Sequence, residues 1–163
     1  MKAAVVMGSM SDFPVVEDTI KTLKSFGVTV VARVLSAHRT PREAHEFAAG
    51  AEQNGIEVII AAAGKAAHLA GALASCTTLP VIGLPIKSST MDGLDSLLST
   101  VQMPAGIPVA TVAINGAENA ALLAVQILSL KYAELKDKLA RHKKAMAGKV
   151  LESNQKLQKE INI

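Results

Sequence analysis

The chain has 163 residues, half of them apolar, enough for one well-buried core and too few for two ordinary domains. Aromatics are scarce, with no Trp, one Tyr (Tyr132) and three Phe; a core of Ala, Val, Ile and Leu suits a buried parallel sheet, and base stacking on nucleic acid is argued against. The excess positive charge lies in the tail, since residues 1–130 carry 8 Lys/Arg against 10 Asp/Glu and residues 131–163 carry 9 against 4, as a solvated helix face would.

Cys76 is the single cysteine, so no intrachain disulfide is possible and a reducing compartment is expected. The opening run Met1–Met7 stops at Gly8, lacks the length and cleavage site of a signal peptide, and no apolar run approaches a membrane span. The expectation is a soluble, cytoplasmic protein.

In chain order, five short Val/Ile-rich segments read as buried strands: 3–7, 28–35, 57–62, 80–84 and 108–114. Helical segments lie between them at 14–26, 41–54, 66–76, 93–100 and 117–131. The first opens near Pro14 and stops at Phe26-Gly27; the second begins at Pro41 and ends at Asn54-Gly55. Regular alternation with short links predicts one doubly wound α/β domain around a parallel sheet of about five strands. Beyond residue 128 a narrow stripe of Leu128, Tyr132, Leu135, Leu139, Met146 and Val150 runs along a charged helix. It packs either on its own domain or on another subunit. The length of residues 131–163 beyond a complete five-strand unit favours the second.

In an open parallel sheet, ligands sit beyond the carboxyl ends of the strands, so the loops there are the candidates. After the first strand, Gly8-Ser9-Met10-Ser11-Asp12 offers a tight glycine turn, amides facing an anion, two hydroxyls, and a carboxylate for a sugar diol. A plain Ser or Asp N-cap is the competing reading. After the second, Ser36-Ala37-His38-Arg39-Thr40-Pro41 places a proton-transfer group beside a cation suited to phosphate, in a loop stiffened by proline. A structural or merely exposed histidine is the competing reading, and the crowding of Ser, His and Arg at one strand end favours function.

After the third, Ala63-Gly64-Lys65-Ala66-Ala67-His68-Leu69-Ala70-Gly71 is a small-residue turn opening a helix, with His68 either touching a ligand or capping and packing. After the fourth, Pro85-Ile86-Lys87-Ser88-Ser89-Thr90 is a polar rim or lid. No spacing for a metal site, a Ser-His-Asp triad or a dinucleotide fingerprint is present in the sequence.

Five strings together resemble the 5-(carboxyamino)imidazole ribonucleotide mutases of bacterial purine synthesis, the PurE family. They are Gly8-Ser9-x-Ser11-Asp12, Ser36–Pro41, Ala66-Ala67-His68-Leu69-x-Gly71, the run from Asp95 through Pro104 to Val109, and Asn119–Ala124. They stand in family order and span residues 8–124. The resemblance implies a three-layer α/β/α flavodoxin-like fold, a homo-octamer, and conversion of N5-carboxyaminoimidazole ribonucleotide to 4-carboxy-5-aminoimidazole ribonucleotide without metal or organic cofactor.

By motif position it implies that Ser9 and Arg39 hold the phosphate and Asp12 the ribose, with support from Ser36 and Ser11. His38 is then the general acid/base. Gly64, Lys65, Ala66, His68 and Leu69 lie beside the imidazole and the migrating carboxyl. Two positions depart from the family's usual Gly-Gly-Ala-Ala-His-Leu-Pro-Gly: Lys65 stands for the second glycine and Ala70 for the proline. The remainder of the loop resembles the mutases more than the related carboxylases that take carbon dioxide directly. A direct aminoimidazole ribonucleotide carboxylase and a non-catalytic phosphosugar-binding module are the alternatives.

Overall fold

The computed structural model describes residues 1–89 and 91–161, so Thr90 of the rim and the last two residues of the tail lie outside the described residues. Five parallel strands form one sheet: β1 (Lys2–Met7), β2 (Thr29–Val34), β3 (Val58–Gly64), β4 (Val81–Ile86) and β5 (Ala110–Thr111). Their order is β2-β1-β3-β4-β5, the flavodoxin-like arrangement in which the strand order reverses between β1 and β3. Helices α1 (Phe13–Ser25) and α5 (Ala117–Ser129) cover one face; α2 (Pro41–Ala49), α3 (Leu69–Ala74) and α4 (Leu94–Val101) cover the other.

The core follows from composition. Ala120, Ala121 and Ala124 are fully buried on α5, and small side chains let the helix approach the Val58, Ile60, Ile82 and Leu84 face closely. The opposite face buries Val6, Ile59 and Leu73 with Ala44 and Ala48 of α2. Helix α1 ends as expected at Phe26-Gly27: Gly27 has φ +84°, its N–H donates to Lys24 O (2.9 Å), and Val28 N–H donates to Leu23 O (3.1 Å). This paired termination uses the left-handed glycine to satisfy the last carbonyls.

Four expectations are corrected. Helix α2 stops at Ala49 rather than 54, because Gly50 and the turn closed by Asn54 N–H on Gly50 O (3.1 Å) break the helix early. Helix α3 starts at Leu69 rather than 66, since Lys65 is left-handed (φ +57°) and the chain must recover from that turn. Strand β2 is an exposed edge, not a doubly covered strand.

Strand β5 pairs over two residues instead of seven. Gly83 O and Pro85 O both accept from the β5 side, from Val112 N–H (3.1 Å) and Asn115 N–H (2.9 Å). The Pro85 nitrogen faces the same way and has no hydrogen to give, so the ladder ends there.

Helix α6 (Ala133–Ile161) divides the tail stripe in two. Leu135 is fully buried, Tyr132 and Leu139 pack on the α1/α5 side of the core, and Lys138 Nζ donates to Phe26 O (2.6 Å). Glu57, at the foot of β3, accepts from Lys131 Nζ (2.7 Å), Tyr132 Oη (2.8 Å) and Lys2 N–H (3.2 Å). Further along the helix the His142 ring lies 5.7 Å from that of Phe26. Beyond it Met146, Val150 and Leu151 are 53%, 69% and 62% exposed. Among the described residues no helix is long and apolar enough to cross a membrane.

Candidate active site

The loops after β1, β2, β3 and β4 enclose a cavity of about 640 Å³ beyond the carboxyl ends of the strands. Ser9, Ser11, Asp12, Ser36, His38, Arg39, Gly64, Lys65, Ala66, His68 and Leu69 all line it. The cavity straddles β1 and β3, where one crossover runs left and the next right and a cleft is left between the loops.

The first loop realises the capping reading without leaving the cavity. Ser11 N–H donates to Ser9 Oγ (3.3 Å), Ser9 N–H donates to Asp12 Oδ2 (3.2 Å), and Ser11 Oγ–H donates to Asp12 Oδ1 (3.4 Å). The expected tight turn at Gly8 is not found; it has no left-handed φ, and a Cβ there would meet its neighbours at 3.8 Å. The reversal is made by the 3-10 turn Met10–Asp12 instead. Asp12 is buried, and burial pushes its carboxyl above the usual value against the opposing pull of Ser9 N–H, the Ser11 hydroxyl and the Arg39 charge.

The second loop is closed by a residue whose part the sequence did not disclose. Thr40 precedes α2 yet does not cap it; its Oγ1 accepts from Ser36 N–H (2.9 Å) and donates to Ser36 O (3.2 Å). Ser36 Oγ in turn accepts from Arg39 N–H (3.2 Å) and Arg39 Nε–H (3.4 Å), while Arg39 Nη2 donates to Gly8 O (3.0 Å). These bonds hold one edge of the guanidinium against the protein. The Nη1 edge makes no bond among the described residues and remains for an anion.

His38 Nε2 lies 3.0 Å from His68 Nδ1, with ring planes at 79°. His68 does not cap α3 with its side chain; it is exposed and touches His38 in the cavity lining. The intervening wall is apolar and close: Leu69 is buried, and a Cβ on Gly64 would sit 3.2 Å from Ile86 O. Lys65 in the same wall is exposed and left-handed, a conformation costing a lysine roughly 1–2 kcal/mol that a glycine would escape.

Lys87, Ser88 and Ser89 also line the cavity, from the loop expected as a rim. Lys87 Nζ pairs with Asp92 (3.0 Å) and Ser88 Oγ–H reaches Asp95 Oδ2 (3.3 Å). The fourth sequence string proves to be scaffolding beneath this loop. Ser96 is fully buried and donates to Ile86 O (2.9 Å) and Gly93 O (2.8 Å), and a Cβ on Gly71 would lie 2.7 Å from Met103 Sδ.

Chemically, the cavity joins a phosphate- and diol-compatible end (Ser9, Asp12, Arg39) to a histidine pair and a small-residue wall. Residues 2–149 match the family model described as AIR carboxylase. An N5-carboxyaminoimidazole ribonucleotide mutase of Pyrococcus horikoshii is 58% identical over 94% of this chain and 87% of its own length. One of Thermotoga maritima is 53% identical over 96% and 92%. The crystal structure of Treponema denticola PurE superposes with a TM-score of 0.86 at 31% identity, covering 96% of this chain and 98% of that one. The match runs through all four loops that build the cavity, and the chain belongs to the AIR carboxylase family.

Proposed function

We propose that the protein is an N5-carboxyaminoimidazole ribonucleotide mutase of purine biosynthesis, with His38 as its general acid/base. The observation that carries the reading is the cavity's division into an anion-and-diol end at Arg39 and Asp12 and a proton-transfer end at His38. The mutases of Pyrococcus horikoshii and Thermotoga maritima support the same activity.

In the first half-reaction the bond between the exocyclic nitrogen and the carboxyl carbon breaks. Its electron pair stays on nitrogen, which takes a proton from His38, and carbon dioxide is released into the cavity. In the second, ring carbon four bonds to the carbon dioxide, and His38 removes the proton from that carbon to restore the aromatic ring. The proton lent is recovered, so one histidine serves both steps. Ser9 and Arg39 hold the phosphate, Asp12 accepts from the ribose hydroxyls, and Ser11 and Ser36 position these groups. Gly64, Ala66, His68 and Leu69 form the wall that retains carbon dioxide and orients the carboxyl.

The test is isomerisation of N5-carboxyaminoimidazole ribonucleotide without ATP or metal, where turnover is expected. Efficient turnover of aminoimidazole ribonucleotide with bicarbonate, and none of the carboxyamino nucleotide, would make it a direct carboxylase; binding without turnover would make it a binding module.

The same reading makes the enzyme a cytoplasmic homo-octamer, one α/β domain per subunit. The exposed apolar residues of α6 beyond His142 then pack on neighbouring copies.

A further inference from the structure

We infer that Lys65 is a specificity-determining residue that admits carboxylated nucleotides by pairing its ammonium with their carboxylate. The inference rests on the functional reading above and deepens it.

Lys65 lines the cavity in a left-handed conformation (φ +57°) that disfavours every residue with a side chain, and its exposed side chain makes no hydrogen bond or ion pair among the described residues. Nothing in the fold requires an ammonium there. The other charged side chains of the cavity each bond to the protein, Arg39 through one edge only. Arg39 is held by Gly8 O and Ser36 Oγ, Asp12 by Ser9 and Ser11, and Lys87 by Asp92. Lys65 is therefore the charged side chain of the cavity lining that bonds to no other described residue, and it stands on the loop that carries His68 against His38.

A ligand that fills this cavity needs one anionic group for Arg39 and a second at the histidine end. A nucleotide with a 5′-phosphate and a carboxylate on or beside its base has both. A lysine suits that second group better than an arginine would. The carboxylate sits on the exocyclic nitrogen before reaction and on the ring carbon after it, and a point charge on a flexible stem can follow it between the two places. Both positions are held alike, so Lys65 acts on binding rather than on the chemical step.

The experiment measures binding of two nucleotides by calorimetry, 4-carboxy-5-aminoimidazole ribonucleotide and its uncarboxylated counterpart, to the wild type, Lys65→Met and Lys65→Arg. Lys65→Met is expected to weaken the carboxylated nucleotide about tenfold, the order of one exposed charge-assisted contact, and to leave the uncarboxylated one unchanged. Its KM should rise with little change in kcat. Lys65→Arg should recover part of the loss. Equal weakening of both nucleotides, or no change in either, overturns the inference. Failure of the functional reading looks different: the wild type would bind the carboxylated nucleotide without isomerising it, leaving the Lys65 comparison intact.

Discussion

His38 Nε2 and His68 Nδ1 meet at 3.0 Å, edge to face, in the lining of the cavity. A contact of this length between two ring nitrogens holds one proton, so each ring fixes the tautomer of the other. His38→Asn is expected to lower kcat about 10²–10⁴-fold, the usual worth of a positioned acid/base, while nucleotide affinity stays within a few-fold. His68→Ala should cost less, because it removes the partner that orients the ring and leaves the proton carrier in place. Steady-state kinetics with calorimetry on both variants checks this; a fully active His38→Asn would sink the mechanism.

Arg39 arrives at the cavity already held by Gly8 O and Ser36 Oγ. Arg39→Ala should raise KM by roughly thirtyfold, corresponding to about 2 kcal/mol for a charged hydrogen-bonding group, with a smaller effect on kcat. Ser36→Ala should weaken binding in the same direction and by less, since it frees the guanidinium without removing it. Identical losses for the two variants would contradict the preorganising part assigned to Ser36.

Asp12 gives stability and nucleotide binding pH dependences of opposite direction. Burial raises its carboxyl above the ordinary 3.8, outweighing the Ser9, Ser11 and Arg39 contributions. The folded protein therefore holds the proton more tightly than the unfolded chain does. Its contribution to stability is fully present below the unfolded value and is lost as pH rises through the folded one. Nucleotide binding runs the opposite way, because the ionised form is the acceptor for the ribose. Affinity should fall on acidification earlier than an ordinary aspartate would cause. Asp12→Asn should abolish that acid limb and raise Tm slightly at neutral pH, as read by calorimetry and thermal melts across pH 4–8.

Glu57 anchors the start of α6. Burial works to raise its carboxyl, but hydrogen bonds from Lys131, Tyr132 and Lys2 outweigh it and the net shift is downward. The stabilisation is present above the ordinary carboxylate value and is lost as pH falls through the lowered one. Glu57→Gln is expected to lower Tm and to speed hydrogen exchange over residues 133–142. Exchange unchanged from the wild type would mean that burial of Leu135 alone seats the helix.

Removal of residues 147–163 tests the proposed packing of the outer half of α6. Loss of the exposed apolar run should reduce the mass of the assembly in solution, as measured by light scattering. An unchanged mass would assign that run no part in association.

The positions of β1, β3 and β4 were legible because each is a Val/Ile/Ala run covered on both faces, a one-dimensional pattern. Residues 8–12, 36–41 and 64–69 could be grouped for the same reason: parallel strands deliver their carboxyl ends to one side. What escaped reading depends on pairings between distant residues. The length of β5 hinges on which way the Pro85 nitrogen faces, and the seat of α6 on Glu57, 74 positions before Lys131. Local order misled as well. Thr40 looks like a helix cap and instead turns back to bond Ser36, and Gly8 looks like the turn that Met10–Asp12 makes.

The Pro85 nitrogen has a consequence beyond the length of β5. A sheet edge is a template on which a stray strand from another molecule can add, and a long even edge is where aggregation begins. On the β5 side the template is two residues long, and beyond it the Pro85 nitrogen of β4 has no hydrogen to donate. The β2 side is six residues long and open, and there Arg33 supplies an exposed charge along the edge. The molecule thus shortens one margin at a missing hydrogen and sets a cation on the other, both devices that disfavour sideways growth of a sheet.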